Sequence, residues 1–302
     1  MKHALSLLPC FNQIESISTI TSGLSQHCFK VNADNNVYFA KTINDNTETS
    51  VTAYAGKSGL SPNITYHDQD WLICRFIKAD NLTQSALPID DKIYYALTLM
   101  VKCHQLSVKP PELSPKGIIN SLLNNSHYST LQKTTLLALA DLIIVPINNN
   151  KNGVCCHGDL NFSNVLINVE QRTWLVDYEC ACTAPIEYDL AMCIAVNGLT
   201  DKTSIIIEQY QIYSSVKIDL LLLNAYLLFC SFINALWYCN TYHEKAQPEE
   251  CMSENKLALL KHAQQQWSAF QSLLKTNDSP LLNRLSIKLT NILPALNFKN
   301  QT

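Results

Sequence analysis

Residues 157–164 read His-Gly-Asp-Leu-Asn-Phe-Ser-Asn, and thirteen residues after Asn164 comes Asp177-Tyr178-Glu179. No other stretch constrains the fold as tightly. Val154-Cys155-Cys156 has the length and β-propensity of a short strand. His157 to Ser163 is a loop. Val165-Leu166-Ile167 is a second strand, Glu170-Gln171-Arg172 a turn, and Trp174-Leu175-Val176 a third strand. A hairpin of this kind carries Asp159 and Asn164 back beside Asp177. Three oxygen ligands then converge, although the chain separates them. Clustered carboxylates repel one another unless a cation sits among them. Magnesium suits such a site because it takes oxygen ligands and shares them with phosphates. Phosphoryl transfer needs this set: an Asp to orient and deprotonate a hydroxyl, and an Asn and an Asp to hold the metal on the phosphates.

The bulk of the sequence narrows the classes. It has 302 residues, 47% apolar and 16% charged, enough for a sizeable buried core. The net charge is −3, with three arginines (Arg75, Arg172 and Arg284). A nucleic-acid partner calls for a basic face, so none is expected. There are twelve cysteines. Cys155-Cys156 and Cys180/Cys182 lack the paired C-x-x-C spacing of zinc sites. The N-terminal apolar run is too short for a secretory core, so the expectation is a cytoplasmic protein with reduced thiols packed as small apolar residues. The longest apolar run, residues 218–239, is interrupted by Asn224, Ser231 and Asn234, and is expected to be a buried core helix with no membrane partner.

Along the chain, residues 15–42 look β-rich, and within them 26–32 and 36–43 alternate like strands around Asp34-Asn35-Asn36, residue types that tolerate the positive φ of a tight hairpin. Residues 48–58 have helical spacing and end at Gly59, with Pro62 just beyond. Residues 63–77 read as two further strands around His67-Asp68-Gln69-Asp70. Amphipathic helices follow at 90–107 and 129–145, and helices dominate from 186 onward. Residues 109–115 and 147–153 read as surface loops. The tetrapeptide Ala55-Gly56-Lys57-Ser58 imitates the end of a phosphate-binding P-loop, but that motif needs glycine at position 51, which is Val51.

HGDLNFSN, DYE and the later Tyr188-Asp189-Leu190-Ala191 follow the catalytic-loop pattern of protein kinases, H-x-D-x-x-x-x-N and then D-x-x. With glutamate in the third place of DYE and no activation segment, the sequence resembles the aminoglycoside phosphotransferase/choline kinase superfamily, in particular its choline/ethanolamine kinase and thiamine kinase group. The resemblance implies an α+β, protein-kinase-like two-lobed fold: a small antiparallel-sheet lobe at 1–80 that binds nucleotide, and a larger, mainly helical lobe at 81–302. It implies an enzyme using ATP and Mg²⁺ on a small-molecule alcohol. Asp159 is then the catalytic base, and Asn164 and Asp177 hold the metal, with Glu179 a further acidic group there. His157 holds the loop, and Asp189 is a structural residue at a helix start. The resemblance makes Gly23 part of a phosphate-covering hairpin and Lys41 the strand lysine that contacts phosphates. It pairs Glu48 with Lys41, and makes 73–77, with Cys74 and Phe76, the hinge that receives adenine. On the acceptor side it implies Asp159, Asn161, Glu179, Trp237 and Tyr238.

The acceptor is the least constrained element. An aromatic stretch at 229–242 suits a cationic alcohol such as choline, ethanolamine or thiamine, by cation–π attraction. Cys180 and Asn234 stand where choline kinases tend to place aromatics, and Trp237 reads equally well as a core residue. An aminoglycoside or macrolide antibiotic is the alternative acceptor. A non-catalytic nucleotide-binding module is the other class, disfavoured because the whole phosphoryl-transfer set is present.

Overall fold

The computed structural model describes residues 1–20, 27–124, 126, 128–147, 153–244, 254–276 and 287. A short helix α1 (Lys2–Leu5) precedes the strands β1 (Ile14–Ile20), β2 (Cys28–Ala33) and β3 (Asn36–Thr42), the helix α2 (Asn46–Lys57), and then β4 (Ile64–His67) and β5 (Trp71–Arg75). The five strands form one antiparallel sheet in the order β1-β2-β3-β5-β4. Asp34 and Asn35 make the two-residue turn between β2 and β3 with φ of 52° and 59°. That handedness matches the twist of the flanking strands. Asp34 also accepts the N–H groups of Asn12 and Gln13, fixing the entry to β1. One face of the sheet buries Phe29, Val31, Tyr38, Ala40, Trp71 and Ile73 with Leu5 of α1. Each fully buried side chain of this size contributes roughly 1.5–3 kcal/mol.

Helix α2 starts at Asp45, whose carboxylate accepts the Thr47 N–H, and ends before Gly59, which turns the chain at φ 75°. After β6 (Asp80–Asn81) and α3 (Ile89–His104) come α4 (Pro115–Asn124) and α5 (Thr130–Ile144). Ser129 and Gln132 close a reciprocal capping box at the start of α5. Next are β7 (Val154–Cys156), β8 (Val165–Ile167), β9 (Thr173–Leu175) and β10 (Cys182–Ala184). The chain then continues as α6 (Ile186–Val196), α7 (Thr203–Ser214), α8 (Leu220–Glu244) and α9 (Glu254–Thr276). The expected class, an antiparallel sheet followed by a larger, mainly helical part, is the one found.

Two compact units emerge: Met1–Pro111 with Val154–Thr183, and Glu112–Gly153 with Ala184–Thr302. The first holds the five-stranded sheet, α3 and the small antiparallel sheet β6-β8-β9. The Leu175 N–H donates to the Leu60 carbonyl (2.8 Å), tying the β8–β9 hairpin to the turn after α2. The second is a helical stack in which α8 packs on α6 and α9, with Phe229, Phe232, Trp267 and Phe270 in its core. By length and composition α8 could cross a bilayer; here most of its apolar stretch is buried among the helices of its own unit.

Three elements depart from the sequence reading. β1 carries apolar Ile14, Ile17 and Ile20 three residues apart, with a bulge near Ile14, so no two-residue alternation marks it. α4 begins at Pro115, the last residue of the expected 109–115 loop. Proline fits the first helical position, where its missing N–H has no intrahelical partner. β10 reads Cys182-Thr183-Ala184, with one β-branched residue and no aromatic to mark it as a strand.

Candidate active site

Residues 155–179 lie wholly within the first unit, and their backbone is cross-tied at Val176. The Val176 N–H donates to the Asn164 carbonyl (3.0 Å), and its carbonyl lies 3.0 Å from His157 Nε2. His157 is fully buried, with its ring 4.9 Å from that of Tyr178. Its Nδ1 accepts the Asp159 N–H (3.3 Å), so Nε2 carries the proton given to Val176. The imidazole therefore joins the loop to the strand that leads to Asp177. Gly158, not singled out from the sequence, is required twice over. Its φ is 78°, and a Cβ there would stand 2.1 Å from the Cys180 carbonyl oxygen.

Asp159 is held from two sides. Asn161 Nδ2 donates to both of its carboxylate oxygens (3.2 and 3.1 Å). Asn164 Nδ2 donates to its carbonyl (2.9 Å) and to Oδ2 (3.2 Å). The Asn161 Oδ1 is occupied in turn by the Ser163 N–H (2.8 Å). Asn161, expected on the acceptor side, thus has both ends of its amide engaged in holding Asp159 and the turn after it. Withdrawal from water pushes the Asp159 carboxyl up to about 6, against the pull of His157 and the Asn161 amide; the neighbouring Asp177 charge adds to the rise.

Asp177 sits at φ 73°, a left-handed conformation uncommon for a non-glycine residue and a frequent mark of functional positions. Its carboxylate is ion-paired with the Lys41 ammonium. Lys41 projects from β3, is 4% exposed, lies 2.8 Å from Glu48 of α2 and reaches within 3.5 Å of Glu179. Burial works against a charged ammonium, but Asp177, Glu48 and Glu179 outweigh it and hold Lys41 above its ordinary value. Burial raises Glu48 to about 7 even with Lys41 beside it. One buried cation thus gathers three carboxylates.

Carboxylate oxygens of Glu48, Asp177 and Glu179 lie within 4.8 Å of one another. Asn164 gives its Nδ2 to Asp159, leaving its Oδ1 for other use. These are hard oxygen donors, and the set fits Mg²⁺. Asp177 and Asn164 also line a cavity of about 300 Å³ formed entirely by the first unit. Lys41 and Glu48 share that end of it, while Cys74, Phe76 and Ile77 line it from the segment after β5. Ile20, Leu72, Leu166 and Val176 supply apolar wall. The Phe76 N–H is taken by the Val37 carbonyl (3.0 Å), and its ring lies 4.9 Å from Lys30 Nζ. Cys28, opposite Lys41 across β2–β3, lines the cavity too. Its role was invisible in the sequence because nothing local marks which face of a half-buried strand meets a cavity.

The remaining expected residues lie elsewhere. Gly23 falls outside the described residues. Trp237 and Tyr238 belong to α8 in the second unit. Trp237 is 36% exposed and so is not a core residue. Its ring meets Tyr238 edge-on (5.1 Å), and Tyr238 stacks on His262 of α9 (5.1 Å). Asp189 is fully buried in the first turn of α6. The described cysteines are free thiols, most of them buried.

Comparison with known proteins adds the family. Residues 125–218, which include HGDLNFSN and DYE, match the model of the phosphotransferase enzyme family. This segment is similar to that family. The match bears out the superfamily resemblance read from the motif. No curated protein sequence matches the chain. Among solved structures, the choline kinase LicA from Streptococcus pneumoniae is similar at 15% identity and TM-score 0.64, covering 87% of this chain and 96% of that one. A choline/ethanolamine kinase family protein from Mesorhizobium loti is similar at 16% identity and TM-score 0.66, covering 95% and 97%. A spectinomycin phosphotransferase solved with ADP and spectinomycin is similar at 17% identity and TM-score 0.58, covering 95% and 98%. These likenesses establish a shared kinase-like fold.

Proposed function

We propose that this chain is an ATP- and Mg²⁺-dependent phosphotransferase that phosphorylates the hydroxyl of a small cationic alcohol of the choline, ethanolamine or thiamine kind. One observation carries the reading. A buried Lys41 anchored by Glu48 and Asp177 shares a cavity of about 300 Å³ with Asn164, while the neighbouring Asp159 is held by two asparagines.

Each residue then has a task. Lys41 binds phosphate oxygens, and Glu48 keeps its ammonium in place. Asn164 and Asp177, with Glu179 beside them, would hold Mg²⁺, which would neutralise charge on the transferring phosphoryl group. Asp159 takes the proton of the acceptor hydroxyl. Its raised affinity for a proton brings it nearer to neutral pH, where a general base works best. His157 and Asn161 orient it. The segment after β5, with Cys74 and Phe76, receives the base of the nucleotide. Trp237 and Tyr238 offer aromatic faces to the acceptor's cation. Choline and ethanolamine kinases among the similar structures favour that acceptor class. Nucleotide use and free thiols fit a cytoplasmic location.

The test is Mg²⁺-dependent ADP release with choline, ethanolamine, thiamine, spectinomycin and kanamycin, using Asp159→Asn as the blank. Stimulation by a cationic alcohol that vanishes in the blank supports the reading. Stimulation by an antibiotic alone would move the chain to the antibiotic kinases. ATP binding without stimulation by any of them would overturn the proposed acceptor class.

A further inference from the structure

We propose that Thr52 and Ser61 make the α2 end of the cavity a binding subsite for a neutral carboxamide group, carried by a small aromatic molecule that is not the nucleotide. Neither residue has a part in the phosphoryl-transfer reading, and the subsite does not depend on that reading. Both line the cavity, together with Glu48, Pro62, Leu72 and Val176.

Their position follows from α2 and the turn after it. Glu48 and Thr52 are one turn apart on α2 and share a face of the helix. The Leu60 and Ser61 N–H groups both donate to the Ala55 carbonyl (2.9 and 3.2 Å), which folds the turn back onto the end of α2. The Leu175 N–H holds the same turn through the Leu60 carbonyl (2.8 Å). Ser61 is thereby fixed on the helix that carries Thr52. Leu72 of β5, paired with Lys41 of β3, supplies apolar wall, as does Val176.

The two hydroxyls are what mark the place. Thr52 is 5% exposed and Ser61 4%. Among the described residues neither hydroxyl has a hydrogen-bond partner, and both residues open into the cavity. Thr134 and Thr135 of α5 instead donate to carbonyls one turn back (2.9 Å each). A buried hydroxyl without a partner is unfavourable, so two in one cavity call for an occupant that pairs with them. Charge decides its kind. Glu48 already accepts from the Lys41 ammonium (2.8 Å). Arg75, the other basic residue of the lining, is at the opposite end of β5 from Leu72, bonded to Asn36 with its guanidinium over the Tyr38 ring. An anion would meet Glu48 and a cation would meet Lys41, so a neutral group is favoured. A carboxamide has a donor and an acceptor for the two hydroxyls, and an aromatic ring suits Pro62, Leu72 and Val176.

The probe is benzamide, titrated into the full chain and followed by ligand-observed NMR, with benzoate and benzylammonium as charged counterparts. The wild type should bind benzamide with a Kd on the order of 1 mM, and both charged probes more weakly. Thr52→Val keeps the shape and removes the hydroxyl. It should weaken benzamide about three- to tenfold, the worth of one neutral hydrogen bond. Ser61→Ala should do the same, and if one variant fails to fold the other decides. No benzamide binding by the wild type would mean that water alone meets the hydroxyls, and overturns the subsite. Binding unchanged in either folded variant, or matched by a charged probe, overturns it too. Calorimetry with ATP and Mg²⁺ on the same samples keeps the two readings apart. Benzamide results as expected without ATP binding overturn the nucleotide reading and leave the subsite, and the converse leaves the nucleotide reading alone.

Discussion

Two stretches carry most of the chemistry suggested by this sequence, and they behave differently. Residues 155–179 form a tight hairpin in which Asp159, Asn164 and Asp177 are joined by short-range bonds through His157, Asn161 and Val176. Residues 229–242 lie on one long helix, where Trp237 is exposed and Phe229 and Phe232 are fully buried. In the hairpin, spacing alone dictates convergence, because each residue reaches its partner through a turn or a strand pair. On the helix, the same aromatic residue types serve as core or as surface, and the sequence does not separate them. The grouping of Asp159, Asn164 and Asp177 is thus locally encoded here, and the exposure of the aromatic side chains is not.

The sharpest way to break the comparison is Asp159→Asn. Turnover should fall by about 10²–10⁴-fold, measured as ADP release at saturating substrates. A loss below tenfold would remove Asp159 as the base. The same variant has a stability signature. The carboxyl's folded value of about 6 lies above its ordinary 3.8. The unfolded chain gives up that proton first, so this group costs the fold stability as pH rises from about 4 to about 6, and the cost stays above that range. Asp159→Asn should therefore melt higher than wild type at pH 7, with the gain shrinking towards pH 4. An equal shift at both pH values would refute the burial argument.

Lys41→Met comes next. It leaves Glu48 buried without its cation, at a cost of about 3–5 kcal/mol, readable in urea denaturation. Adding Glu48→Leu should recover much of that stability and none of the activity. Recovery of both would make the pair merely structural.

Gly158→Ala should cost at least about 1–3 kcal/mol, because the new Cβ meets the Cys180 carbonyl in a left-handed backbone. A melting temperature within 1 °C of wild type (an order-of-magnitude threshold) would contradict that account.

The smallest effect on the fold is expected from Trp237→Ala. As an exposed side chain it should cost about 0.5 kcal/mol or less. If it serves the acceptor, the acceptor KM should rise several-fold while the KM for ATP stays put. Equal changes in both would return Trp237 to a structural role and sharpen the contrast with the hairpin.

The pattern of what was legible follows the same physics. The Asp34-Asn35 turn and the end of α2 at Gly59 could be read because each is set by local backbone preference, and the 186–196 helix from its run of mostly apolar residues. β1 lies in a β-rich stretch but its three-residue spacing hid the alternation, and β10 has one β-branched residue to mark it. Among site residues, Asp159, Asn164 and Asp177 stand out by spacing. Gly158 is not distinguished from an ordinary turn glycine until the Cys180 carbonyl is seen against it.

By itself the sequence determined the grouping of Asp159, Asn164 and Asp177 and the antiparallel-then-helical order of elements, because both rest on patterns within short stretches of chain. Only the tertiary structure decided that one buried Lys41 gathers Glu48, Asp177 and Glu179, that Asn161 serves Asp159, and that Thr52 and Ser61 share a cavity with Lys41, Glu48 and Asp177. Those relations join residues up to 138 positions apart, from Lys41 to Glu179. Burial and charge at such range are properties of the packed fold and not of any stretch of chain.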